Sequence, residues 1–199
     1  PKMLPRVVLA DPELLLGLPA KLTAATGMDA VTHLIESYLT RGGENPLCDG
    51  IALEGLRLAA RSLARSVENG RDLSARADML NAALMGAVAF QKGLGAVHSC
   101  AHALSTVLDL HHGLANGVML PYVLEFNRDA CNEKYARLAG AVGVGDIVGW
   151  VKDLNRSIGI PSGLKTLGGS GRHLQPLAEA AFADFCHTEN PKPVTQEDF

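Results

Sequence analysis

Residues 46–68 read PLCDGIALEGLRLAARSLARSVE. Ile51, Leu53, Leu56, Leu58, Leu63 and Val67 recur near the 3.6-residue period of an amphipathic helix, with arginines between them. Asn69-Gly70 ends the pattern. The same Ala/Leu periodicity continues on both sides. Toward the N-terminus it predicts a helix over Pro19–Tyr38, entered at a proline and broken by Gly42-Gly43. Toward the C-terminus it predicts helices over Leu73–Phe90, Val97–Leu108, Gly113–Phe126, Asn132–Val142, Asp146–Ser157 and Leu174–Phe185. Pro121 is expected to kink or break the fifth of these eight helices in chain order. One strand-like run, Arg6-Val7-Val8-Leu9, precedes the turn signal Asp11-Pro12. The fold class is therefore all-α, a multi-helix bundle with a short N-terminal strand or linker.

Composition sets the outer bounds. At 199 residues, with 47% hydrophobic and 20% charged side chains, the chain suits one globular domain with its own core rather than a disordered segment. Its net charge of −3 argues against a general nucleic-acid or anionic-membrane binder. No apolar run approaches the roughly 20 residues of a spanning helix, and the start at Pro1 carries no targeting signal to read. Cys48, Cys100, Cys131 and Cys186 are too widely spaced for a zinc knuckle or redox pair. They read as small hydrophobes, which fits a reducing cytoplasm.

The histidines carry the chemistry. Five of seven fall between positions 33 and 112. Asp29 and His33 lie four apart on one predicted helix, so both side chains leave the same face. His98 and His102 repeat that spacing on another, and His111-His112 stand at the start of the next. A carboxylate with three imidazoles suits Zn²⁺ or Fe²⁺. Histidines satisfied within an apolar core are the competing reading, and spacing alone leaves both open.

Three segments resolve the pattern further. Thr26-Gly27-Met28-Asp29-Ala30-Val31-Thr32-His33-Leu34-Ile35-Glu36, Gly95-Ala96-Val97-His98-Ser99-Cys100-Ala101-His102 and His112-Gly113-Leu114-Ala115-Asn116 resemble, in order and separation, the helical C-terminal domain of the iron-containing alcohol dehydrogenases. Leu14 to Pro19 and the tail Thr188-Glu189-Asn190-Pro191-Lys192-Pro193 are similar as well. The resemblance implies a divalent metal, Fe²⁺ or Zn²⁺, held by Asp29, His33, His98 and His112. It implies a catalytic or proton-relay place for His102 beside nicotinamide and substrate. Glu36, seven residues after Asp29, is either a support for a ligand or a buried structural acid. Many members carry proline before the last ligand, where this chain has His111. The following Gly113-x-x-Asn116 assigns the ligand role to His112 and leaves His111 for the substrate cleft.

The implied activity is hydride transfer between a small alcohol and NAD or NADP, with the cation polarising the oxygen. Yet no phosphate cradle is present in the sequence. Gly93-Leu94-Gly95 lacks the third glycine of the dinucleotide fingerprint and follows a helix, and Gly168-Gly169-Ser170-Gly171 reads as a plain loop. Residues 1–18 are accordingly expected to be the linker and last-strand remnant of a missing N-terminal dinucleotide-binding domain, with 19–199 the helical metal-binding domain. Without that partner the piece is expected to be inactive; a homo-oligomer is compatible with the resemblance. Two other classes compete. A helical metal-dependent hydrolase commonly shows an adjacent His-Asp dipeptide, which this sequence lacks, and a non-catalytic helical packing domain is told apart by whether a glycine-rich βαβ domain is encoded upstream.

Overall fold

The computed structural model describes residues 5–199 and contains eight α-helices among them. These are α1 (Ala20–Leu39), α2 (Pro46–Glu68), α3 (Leu73–Ala89), α4 (Ala96–Leu108), α5 (His112–Asn127), α6 (Asn132–Val142), α7 (Ile147–Ile158) and α8 (Leu174–Ala183). Single turns of 3₁₀ helix punctuate the connections. The chain supplies local stops and starts where the sequence places them. Asn45 accepts from the Cys48 N–H to open α2, Asp72 from Ala75 to open α3, and Asp146 from Val148 and Gly149 to open α7.

Helix α1 is the central element. Fourteen of its twenty residues are buried, because α2, α3 and α5 all pack on it. Met28, Val31, Leu34 and Ile35 meet Leu56 and Leu63 of α2 and Val118 of α5 in one continuous core. Each fully buried Leu or Ile there contributes about 1.5–3 kcal/mol of hydrophobic stabilisation. A helix apolar on most of its circumference has little room for polar groups, so Asp29, His33 and Glu36 on α1 stand where a specific partner receives them.

Two expectations from the sequence need correction. Arg6–Leu9 forms no strand: Val7, Val8 and Leu9 are 73, 64 and 87% exposed. A strand needs a neighbour to satisfy its ladder, and none exists among the described residues. Pro1 to Leu4, the beginning of the expected linker, lie outside the described residues. The second correction concerns Pro121, which does not break α5. Proline cannot donate to the carbonyl four residues back, that of Gly117. The buried side chain of Asn155 on α7 donates to it instead, at 2.7 Å. A tertiary donor therefore replaces the missing backbone one.

The helix predicted to run to Phe185 stops at Ala183, and Asp184 is extended (φ −77°, ψ 143°). Its carboxylate accepts from the Ser99 hydroxyl, the Cys186 N–H and His102, which holds the chain out of helical register. All four cysteines are buried and free. Among the described residues no helix is long and apolar enough to cross a membrane.

Candidate metal centre

The centre lies where α1, α4 and α5 meet. Asp29 and His33 leave α1 on one face, as their spacing requires. Helix α4 brings His98 and His102, and a tight turn through Asp109 (φ 53°) reverses the chain so that α5 brings His112. Close approach of α5 to α1 depends on Gly113. A Cβ at that position would sit 2.3 Å from the Ala25 carbonyl oxygen and 3.2 Å from Cβ of Asp29.

These elements bring the predicted ligands together. Oδ1 of Asp29 lies 3.3 Å from Nε2 of His112 and 3.8 Å from Nε2 of His98. The His33 ring stacks on that of His98 with centroids 4.7 Å apart, and His112 is 5.4 Å from His98. His98 is fully buried at the base of the centre, whereas His112 and Asp29 are partly open to solvent.

A cation fits the chemistry of this set. Donors on a tetrahedral Zn²⁺ with bonds of about 2.0–2.1 Å stand roughly 3.3 Å apart, close to the spacing observed. In addition, Asp29 Oδ1 and the Nε2 atoms of His98 and His112 all converge on one amide nitrogen, Nδ2 of buried Asn116, at 2.6, 3.4 and 3.0 Å. Asp29 Oδ1 and Nε2 of His98, a lone pair because Nδ1 faces Glu36, already take both hydrogens of that amide nitrogen, and Oδ1 of Asn116 is itself buried without a partner. The pocket is short of positive charge.

Electrostatics agree. Burial is the main influence on His33 and pushes it down to about 4, against the opposing pull of Asp29, so its imidazole is neutral and its lone pair free. Burial raises Asp29, but the hydrogen bond to His112, the neighbouring His33 and His112 and the bond from Asn116 outweigh it, and the net shift is downward.

Glu36 lies behind His98. It is 4% exposed, and its Oε2 accepts from Nδ1 of His98 at 2.7 Å. That bond leaves Nε2 of His98 as the lone pair facing Asp29. The same carboxylate accepts from the backbone N–H groups of Val97 at 2.7 Å and His98 at 3.3 Å, while Oδ1 of Asn190 accepts from Ala96 at 3.2 Å. Gly95, the N-cap of α4, has no side chain to do this. The first three orphan amides of α4 are thus capped from other parts of the chain.

His102 stands at the open rim, its ring stacked on His112 at 5.2 Å and its Nδ1 2.8 Å from Oδ2 of Asp184. Burial raises Asp184, but the Cys186 N–H, the Ser99 hydroxyl and His102 together bring it down to about 2. Cys186 completes a second grouping with His102 and Asp184. Burial chiefly pushes its thiol up to about 12, so in this environment it stays protonated. His111 is set apart from the cluster. It is exposed, caps α5 by accepting from the Leu114 N–H at 3.4 Å, and lines a groove of about 300 Å³ with Lys21, Leu22 and Ile158.

Sequence reasoning passed over three of these residues. Asn116 stands four residues after His112 on α5, a spacing that could have flagged it. Asn190 stands in the tail that resembles the family, and Asp184 carries no local signal, because its partner His102 lies 82 residues away.

The helical domain gathers one carboxylate and three imidazoles, a donor set that suits a divalent metal. Residues 23–199 match the family model described as Fe-containing alcohol dehydrogenase family, C-terminal. The chain belongs to that family. It is 43% identical to 4-hydroxybutyrate dehydrogenase of Cupriavidus necator, over 99% of this chain and 54% of that protein. It superposes on a crystal structure of 1,3-propanediol oxidoreductase with a TM-score of 0.91 at 38% identity, covering 94% of this chain and 52% of the other. Sulfoacetaldehyde reductase from Bifidobacterium kashiwanohense, solved in complex with NAD⁺, aligns at TM-score 0.87 and 29% identity, over 94% and 50%. The chain spans about half the length of the relatives it matches.

Proposed function

We propose that residues 19–199 are the metal-binding catalytic half of an NAD(P)-dependent alcohol dehydrogenase, and that residues 1–18 lead out of a dinucleotide-binding domain preceding them in the whole protein. The observation that carries this is the convergence of Asp29 Oδ1 with the Nε2 atoms of His98 and His112 beside His33, on a buried amide that cannot satisfy them all. Asp29, His33, His98 and His112 would hold Fe²⁺ or Zn²⁺. A divalent cation there supplies Lewis acidity toward an alcohol or carbonyl oxygen.

The remaining roles belong to the chain. Glu36 orients His98 and keeps its Nε2 unprotonated. Asn116 steadies Asp29. His102 faces the open rim, where the alcohol and nicotinamide would lie. The named relatives act on short molecules with a second polar group, which supports a small alcohol or aldehyde as substrate. The family and the free buried cysteines support a cytoplasmic enzyme whose partners are small molecules rather than nucleic acid or membrane, with homo-oligomers compatible.

The test is to express the whole protein and the 199-residue chain in parallel. The whole protein is expected to retain iron or zinc by elemental analysis and to reduce NAD⁺ or NADP⁺ with small primary alcohols or diols. The shorter chain is expected to bind metal weakly and to turn over no alcohol. Substantial NAD(P)-dependent activity from the shorter chain would sink the two-domain reading, and a whole protein indifferent to chelation would sink the metal assignment.

A further inference from the structure

We propose that Asp184 is a positioning residue that sets the tautomer of His102, so that Nε2 of that ring faces the cleft as a lone pair and accepts a hydrogen bond from the substrate hydroxyl. The inference rests on the alcohol dehydrogenase reading given above. Its geometric basis is independent of the metal ligands. Nδ1 of His102 meets Oδ2 of Asp184 at 2.8 Å, and a carboxylate can only accept, so Nδ1 carries a hydrogen, which in the neutral imidazole leaves the lone pair on Nε2.

The carboxylate is itself held. Its Oδ1 accepts from Ser99 Oγ at 2.7 Å and from the Cys186 N–H at 2.9 Å, and Ser99 Oγ accepts from the His187 N–H at 2.9 Å. Ser99 and His102 lie three apart on α4, so one carboxylate grips two successive points of one helix face. Helix α8 ends at Ala183, which turns Asp184 back toward α4. Ring stacking on His112 at 5.2 Å fixes the plane of the imidazole. The His102 side chain is 41% exposed against 15% for Asp184. One nitrogen is therefore buried against its carboxylate and the other edge is open to a ligand. Among the described residues Nε2 of His102 has no hydrogen-bond partner, so a donor arriving from the cleft can reach it.

The experiment uses the whole protein loaded with Zn²⁺, carrying Asp184→Asn, Asp184→Glu, His102→Ala or the Asp184→Asn/His102→Ala pair. Asparagine can turn its NH₂ toward Nδ1 and so invert the tautomer, leaving shape unchanged. Asp184→Asn is expected to lower kcat about 10–100-fold, the usual effect of removing a carboxylate behind a functional histidine, with zinc content unchanged and Asp184→Glu partly restoring the rate. On the His102→Ala background, Asp184→Asn is expected to add no further loss. Independently of turnover, ¹⁵N NMR of histidine-labelled protein should show His102 protonated at Nδ1 in the wild type and at Nε2, or at both in exchange, in Asp184→Asn. A wild-type Nε2–H tautomer, losses that add in the double variant, or loss of zinc in Asp184→Asn overturns the proposal. If Asp184→Asn does not fold, the wild-type tautomer and Asp184→Glu decide it. A wild type that oxidises no alcohol refutes the functional reading alone, and the NMR result still stands or falls by itself.

Discussion

Replacing Glu36 by glutamine separates its two tasks from mere volume, because the side chains are isosteric. The carboxylate receives three N–H groups: Val97 N at 2.7 Å on one oxygen, and His98 Nδ1 at 2.7 Å and His98 N at 3.3 Å on the other. Glutamine keeps one oxygen and presents an NH₂ in place of the second. If the NH₂ faces Val97, an N-terminal amide of α4 is orphaned in a site 4% exposed. If it faces His98, Nδ1 must become an acceptor and the proton moves to Nε2, the atom that points at Asp29. Loss of a hydrogen bond to a charged group costs about 1.5–3 kcal/mol. At 1.4 kcal/mol per tenfold, that is roughly 10–100-fold in metal affinity, the range seen for carboxylates behind metal-bound histidines. Competition with a chromophoric chelator, for Zn²⁺ and Fe²⁺ in turn, measures the affinity of the whole protein. Thermal unfolding without metal reports the capping component, expected as a lower Tm. A folded Glu36→Gln protein with unchanged metal affinity would refute the claim that this carboxylate sets the ligand state of His98.

Three further outcomes are expected. Gly113→Ala places a methyl 2.3 Å from the Ala25 carbonyl, so α1 and α5 must separate beside Asp29. Metal retention should fall more than Tm, and elemental analysis against a melting curve reads both. Asn155→Ala removes the donor that satisfies the Gly117 carbonyl opposite Pro121. Urea unfolding should show a loss of about 1–3 kcal/mol, and the further change Pro121→Ala should recover part of it by restoring the backbone donor. Asp184, brought down to about 2 from an ordinary value of 3.8, favours the folded state above pH 4 and loses that contribution as pH falls through 2. Acid unfolding of Asp184→Asn should therefore lack a destabilising component that the natural protein shows between those values.

The helices were legible because their signals are local. Periodicity and caps place α2 and α6 at their observed bounds, and i,i+4 spacing on α1 already sets Asp29 and His33 on one face. The exceptions are cases in which a distant group overrides a local rule. Pro121 should end a helix and does not, because Asn155 lies across from it. Phe185 continues an apolar pattern yet lies outside α8, because Asp184 is drawn to Ser99 and His102. Arg6–Leu9 has the composition of a strand and no neighbour to pair with among the described residues.

The candidate centre divides along the same line. Residue type and helical spacing, with the family resemblance, name Asp29, His33, His98 and His112, since each stands on a periodic segment whose face follows from its own neighbours. How those residues are tuned depends on packing. Glu36 reaches His98 across 62 residues of chain, Asp184 reaches His102 across 82, and Asn116 gathers Asp29 with two imidazoles from other helices. A histidine's useful nitrogen is decided by what the other nitrogen touches, and that contact exists only once α1, α4, α5 and the end of α8 have docked.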